Sequence, residues 1–352
     1  MTPESTRAQR STRPFSSASA GISPWAGPLA AALIAASGGA HAQAVRPDPD
    51  SIFTVQVEND AVSTLKGTSD QYYTSGLRLG WTSGADALEP VASFGHDVWG
   101  GGTTRVSIDI TQSLFTPRDT QIDPPNPADR PYAGELLATL GLIHDSADTR
   151  DVVALSLGVV GPSALGEEVQ NGFHNIIGDT PNRGWHYQVQ DQPAVNLLVQ
   201  RTWRLPVATL GPIETDILPS ATAALGDVRD YVQFGGQVRF GQGLGSDYGT
   251  ARIEPGLNGS DAYTNTTPIA WYGFAGVDGQ AVGYDVSLDG SAFRSDTPSV
   301  HRTWDVGEFE AGLAVLVYGL RVTYTQTWQT QEFKGAKAGL FNFGSLALST
   351  KF

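Results

Sequence analysis

The sequence contains no cysteine, and its only methionine is Met1. The first absence excludes a disulfide framework and any thiolate metal site. Basic residues are scarce: 22 lysines and arginines stand against 36 aspartates and glutamates, for a formal net charge of −14. That balance argues against nucleic acid as a partner, and an anionic partner would need local arginines or a divalent cation to mediate. Long apolar runs are missing too. Trp25–Ala36 falls short of the ~20 residues that a membrane-crossing helix requires, and no other segment approaches that length. His96, His186 and His301 have no neighbours arranged as metal ligands.

What is present begins with a leader. Arg7, Arg10 and Arg13 precede the short apolar run, and Ala40-His41-Ala42 has the small-x-small form of a cleavage site. Residues 1–42 read as a secretory signal peptide, and 43–352 as one domain. Removing three arginines and one glutamate leaves 19 basic and 35 acidic residues, a net charge of −16.

The remaining chain is rich in glycine and alternates apolar with small or polar residues. Strand-like runs of about 9–12 residues, bounded by Gly, Pro, Asp and Asn, recur from Ser51 to Phe352. A soluble sandwich would bury the apolar faces, whereas a transmembrane barrel turns them to lipid and keeps a polar interior. The polar faces carry Arg78 and Arg321, the chain is exported, and it ends in an alternating strand with a terminal Phe352. These features predict an all-β, membrane-embedded antiparallel β-barrel of about 12 strands, with a short helix in an extracellular loop. Thirteen runs can be counted, but a closed barrel with both ends in the periplasm needs an even number. Reading Pro268–Gly290 as one long strand, with no break at Asp278-Gly279-Gln280, resolves this. Tyr318-Gly319 then becomes a tight periplasmic turn. The long 240–268 connection falls on the periplasmic side, where turns are usually short.

In this topology the first (61–71), third (115–131) and fifth (161–193) loops meet at the outer mouth. The first strand ends in Glu58-Asn59-Asp60, and the pattern places Asp60 and Thr74 on the inward-facing phase. In the fifth loop E-E-V-Q-N-G-F-H-N-I-I-G has helical periodicity, with Gly178 as its stop. Gln170 and His174, spaced i and i+4, share one face of that helix and should point at Asn59, Asp60 and Thr74.

The motifs V-E-N-D (57–60), Y-T-S-G-L (73–77), D-R-P-Y (129–132) and G-P-S-A-L-G-E-E-V-Q-N-G-F-H-N-I-I-G (161–178) resemble, in this order, the outer-membrane lipid A 3′-O-deacylase family. The resemblance implies a Ca²⁺-dependent esterase acting on lipid A in outer-leaflet lipopolysaccharide. It implies His174 as general base, Asn59 and Asp60 as metal ligands or orienters of the base, and Thr74 and Gln170 as the polar shell near the oxyanion. An imidazole suits a base working near neutral pH, and hard oxygen donors suit Ca²⁺. Arg118 and Arg130 are expected to meet substrate phosphates, with Arg78 and Arg183 offsetting charge nearby.

Two positions depart from the family pattern. The third loop reads T-P-R-D-T-Q-I-D without the family's lysine, leaving Arg118 in its neighbourhood, and Asn182 stands where the family has a tyrosine. A lipid esterase with another substrate and a non-catalytic barrel, either pore or structural, are the alternatives. A competing H-x-S pattern at His144-Asp145-Ser146, in the order of outer-membrane phospholipase A, falls in a periplasmic turn and lacks that family's surrounding motif.

Overall fold

The computed structural model describes residues 48–60, 71–255 and 261–352. The expected leader and nearly all of the first loop lie outside the described residues. The alternating runs form strands β1 (Ile52–Asn59), β2 (Tyr72–Thr82), β3 (Thr103–Thr116), β4 (Ala133–Asp145), β5 (Thr149–Val160), β6 (Gln192–Trp203) and β7 (Leu205–Leu210). They continue as β8 (Ile213–Gly226), β9 (Arg229–Gln242), β10 (Ile269–Asp285), β11 (Asp305–Val317), β12 (Leu320–Gln329) and β13 (Phe341–Lys351). Among the described residues three α-helices punctuate them: α1 (Glu89–Trp99), α2 (Gly166–Ile177) and the single turn α3 (Val286–Asp289).

Neighbouring strands are antiparallel throughout, and β1 pairs with β13 from Ile52↔Lys351 to Asn59↔Gly344, closing the sheet. β6 and β7 are one stave interrupted at Arg204. Both pair with β8, through Thr202↔Ser220 and then Leu205↔Ile217. The result is a closed barrel of twelve staves. The expected long strand is β10, 17 residues without interruption. Tyr318 and Gly319 both have positive φ, 48° and 91°, the conformation that a two-residue hairpin turn requires.

Side chains alternate across the wall. Phe53, Val55, Leu79, Ile108, Leu346 and Leu348 point outward and are exposed, as a lipid-facing belt must be. Thr54, Gln56, Glu58 and Arg78 point inward and are buried. The residues that bury them come chiefly from the described parts of the periplasmic 243–268 connection, 243–255 and 261–268, which lie inside the barrel. Ala251 O accepts from Gln56 Nε2 at 2.9 Å, and Ile253 N and Glu254 N donate to the Glu58 carboxylate at 2.8 and 3.0 Å. Charges match along the path. Asp247 pairs with Arg239 and Arg321, Arg252 with Glu308, and Glu254 with Arg229, all within 2.9 Å, while Asp261 pairs with Arg78. A buried charge is tolerated only when paired, so this segment and the lumen wall specify one another.

The segment therefore acts as a plug. In planar bilayers the intact protein is expected to be electrically silent, and replacing residues 247–264 with a short Gly/Ser linker should open a steady conductance. Steady channels from the intact protein would contradict this.

Candidate active site

At the outer rim, a register shift between Tyr73 and Ser75 corrects the phase read from the sequence. A bulge places two residues opposite one and exchanges the faces of the strand beyond it. Tyr73 turns into the lumen, where its hydroxyl donates to Glu58 at 2.9 Å and its ring packs on Phe115 and Phe343. Thr74 turns the other way. Its hydroxyl lies 2.6 Å from that of Thr116, which follows the inward-facing Phe115 and so faces outward. Thr74 is thus on the outside of the wall, not in the lumen.

The fifth loop folds over that same outer surface. On β3 and β4 the outward phase includes Gln112, Leu114 and Gly134. Gln112 Nε2 donates to Ala164 O at 2.6 Å, and Leu114 packs with Tyr132, Trp185 and Val169 of α2. Gly166, in the first turn of α2, lies so close to the Trp185 ring that a Cβ there would sit 2.7 Å from it. α2 buries Gly166, Gln170 and His174, the i, i+4, i+8 stripe, and ends at Gly178 in the left-handed conformation. Its larger apolar residues face away from the wall: Phe173 is 57% exposed and Ile176 83%.

His174 is buried, with Nδ1 2.9 Å from the carbonyl of Thr180. A carbonyl only accepts, so Nδ1 carries the proton and Nε2 presents its lone pair. The turn bearing Thr180 is itself held: Asn171 Oδ1 accepts from Asn182 N at 2.7 Å, and Asn171 Nδ2 donates to Asn182 O at 3.1 Å. Gln170 Oε1 accepts from the Trp185 indole at 2.8 Å. An indole N–H can only donate, so the amide orientation is set and Gln170 Nε2 is the available donor. That nitrogen and Asn182 Nδ2 are both buried without a partner among the described residues. An amide donor oriented by Trp185, a second buried amide and an oriented imidazole therefore belong to one loop.

Asn59 and Asp60 end β1, the stave next to β2. Asn59 pairs with Ser75 across the strands, and Asp60 is fully buried, with Oδ2 accepting from Gln71 N at 3.2 Å. Among the described residues no three His, Asp or Glu side chains cluster as a metal site. The rim donors of β1 to β3 (the Asn59 amide, the Asp60 carboxylate and the hydroxyls of Thr74 and Thr116) include no nitrogen or sulfur ligand. Such a set fits a hard cation and not zinc.

The two arginines expected at substrate differ sharply. Arg118 is exposed, with its backbone N on Asp129 Oδ2 at 3.1 Å. Arg130 is fully buried. Its guanidinium donates to Glu332 at 2.5 Å and to Ser287 Oγ at 2.7 Å, and it stacks 4.4 Å from the Phe115 ring centroid. It ties the third loop to the two last outer loops. Arg78 is likewise held by Asp109 and Asp261 in the lumen. At the far end of the barrel, His144 and Ser146 are bound separately, His144 to Thr104 and Ser146 to Thr149.

No sequence pattern signals the hydrogen bond from Trp185 to Gln170. Nor does any pattern signal Thr180, which acts through a backbone carbonyl. Replacing Trp185 with Phe removes the indole donor and strands the buried Gln170 oxygen. We expect a stability loss of about 1–3 kcal/mol, read from guanidinium unfolding in micelles. Tyr187→Phe, at an exposed position two residues on, should leave stability unchanged.

Comparison with known proteins identifies the family of the chain. LpxR from Salmonella typhimurium has a similar solved structure, with a TM-score of 0.72 and 21% sequence identity over 86% of this chain and 100% of that one. More distant is the β domain of the Bordetella autotransporter BrkA, with a TM-score of 0.40 and 10% identity over 87% of this chain and 98% of that one. The translocator domain of the autotransporter NalP from Neisseria meningitidis gives 0.37 and 13% over 92% and 95%. No curated protein matches. Residues 29–352 match the family model described as outer membrane protein LpxR. The chain thus belongs to the LpxR family of outer-membrane proteins, a twelve-stranded β-barrel of the Gram-negative outer membrane.

Proposed function

We propose that the protein is an ester hydrolase that removes 3′-linked acyl chains from lipid A of outer-leaflet lipopolysaccharide. The observation that carries this reading is the orientation of His174. Its Nδ1–H is committed to the Thr180 carbonyl, which makes Nε2 the basic nitrogen of the ring, and the residue is buried on the wall-facing stripe of its helix. A substrate that lives in the bilayer reaches such a site laterally, without entering the lumen. The exposed Phe173 and Ile176 of α2 give that approach an apolar border.

In this mechanism His174 Nε2 accepts the proton of an attacking water or hydroxyl as it adds to the ester carbonyl, then returns it to the departing alkoxide. The amide donors Gln170 and Asn182 supply hydrogen bonds to the oxyanion. Thr74, hydrogen-bonded to Thr116, lines the polar wall. Asn59 and Asp60 would hold Ca²⁺, which when bound supplies positive charge to the carbonyl oxygen. Arg118 and Arg183, both exposed, would meet lipid A phosphates. Arg130 is assigned to the rim's structure instead.

Mass spectrometry of lipid A tests the reading. Expression of the chain should shift lipid A by the mass of the 3′ acyl substituents, and an unchanged spectrum in the presence of Ca²⁺ would refute it. With purified protein, EGTA is expected to lower the rate about 10²–10³-fold, the usual effect of losing one oxyanion stabiliser. Added Ca²⁺ should restore it in the wild type but not in Asp60→Ala.

A further inference from the structure

At the opposite end of the barrel, α1 is placed where a soluble loop helix would not be. On β3, Ile108 and Ile110 face outward and are exposed. The two-residue period carries Val106 and Thr104 to the same face. Yet both are buried, as is His144, the cross-strand partner of Thr104 on β4. α1 covers them. A Cβ on Gly95 would lie 2.1 Å from Thr104 Oγ1 and 3.1 Å from His144 Nδ1, and Trp99 stacks on the His144 ring at 5.5 Å. α1 therefore lies against the outside of the wall, on the surface that Ile108 and Ile110 present to lipid a few residues further along the same strand.

We propose that α1 is an interfacial helix seated in the periplasmic-side leaflet of the outer membrane, its apolar stripe among phospholipid acyl chains. At about 100° per residue, ten of its eleven residues, all but Pro90, sort into three faces. Ala92, Gly95 and Trp99 meet the barrel. Val91, Phe94 and Val98 form a stripe beside them; Phe94 is 50% exposed and Val98 53%. Glu89, Ser93, His96 and Asp97 form a polar stripe, in which Ser93 donates to Glu89 at 3.0 Å and His96 Nε2 lies 3.0 Å from Gly102 O. A helix lying in the membrane plane beside a barrel needs this division: wall on one side, hydrocarbon above and water below.

The occupant follows from continuity and from charge. The apolar stripe extends the barrel's own lipid-facing belt, so the same bilayer covers both. α1 carries two acidic residues and neither Lys nor Arg, so its seating depends on apolar insertion and not on attraction to anionic headgroups.

The chain's freedom from cysteine makes the test direct. Spin labels are placed on the full-length protein as single variants Phe94→Cys, Val98→Cys, Ser93→Cys, Asp97→Cys and, as the lipid standard, Ile110→Cys. Each is reconstituted in phosphatidylethanolamine vesicles with and without phosphatidylglycerol. Collision rates with oxygen, which partitions into hydrocarbon, and with a water-soluble nickel chelate are then compared. Labels at 94 and 98 should favour oxygen at least five-fold over the label at 97, approach the label at 110, and be unchanged by phosphatidylglycerol. The label at 93 should follow 97. Labels at 94 and 98 as open to nickel as 97, or shielded from both reagents as under a protein cover, would overturn the proposal, provided that 110 reports lipid. Two stripe positions guard against one variant that fails to fold.

Discussion

Replacing His174 with alanine is expected to restore full-mass lipid A in cells expressing the chain, and to lower the rate of the purified protein by 10²–10⁴-fold (about 3–5 kcal/mol of barrier), the range for losing a general base. Two effects must be separated, because the imidazole also holds the carbonyl of Thr180. His174→Asn distinguishes them. Its side-chain amide can still donate toward Thr180, so the turn from Gly178 to Asn182 stays closed, but it cannot accept a proton at neutral pH. If His174 is the base, Asn is as inactive as Ala while unfolding like the wild type. Activity retained in His174→Asn would assign the residue a structural role and move the chemistry elsewhere.

The largest loss of stability is expected at Arg130. Its guanidinium bridges a carboxylate and a hydroxyl from two other loops, 202 and 157 residues away, with Phe115 beneath it. Removing one member of a buried pair leaves the other uncompensated, at a cost of about 3–5 kcal/mol. Arg130→Met should therefore shift guanidinium unfolding in micelles by that amount. Glu332 keeps a weaker neighbour in Arg229 at 3.8 Å, which puts the expectation at the lower end. The double variant Arg130→Met/Glu332→Gln should recover part of the loss, since the stranded charge is gone. Strict additivity of the two single changes would mean that the pair does not act as a unit. An Arg130 variant that is stable but has lost only affinity for phosphorylated substrate would return this residue to the substrate-binding role read from sequence.

Much of the architecture was legible beforehand because it rests on local periodicity. Strand alternation gave the lipid-facing belt and, with the even-number condition, pointed to the continuity of β10. The helix in the fifth loop was readable from its repeat and from Gly178. Three features were not. The bulge at Thr74 changes the face of one residue through pairing with β3. The 243–268 connection looked anomalously long for a periplasmic turn because its acids and arginines find partners only across the lumen. And α1 lay unmarked in the second connection, its mixture of small, apolar and polar residues having no meaning until the wall beside it was in place.

For this protein the amino-acid order alone determined that the chain would alternate, close and cross a membrane, and that Gln170 and His174 would share a helical face, since period-two and period-3.6 geometry act between near neighbours. Only the folded barrel decided which way Thr74 points, that Trp185 orients Gln170, and that Arg130 is a strut and not a free cation. Those outcomes depend on contacts between residues far apart in the chain, and no local pattern encodes them.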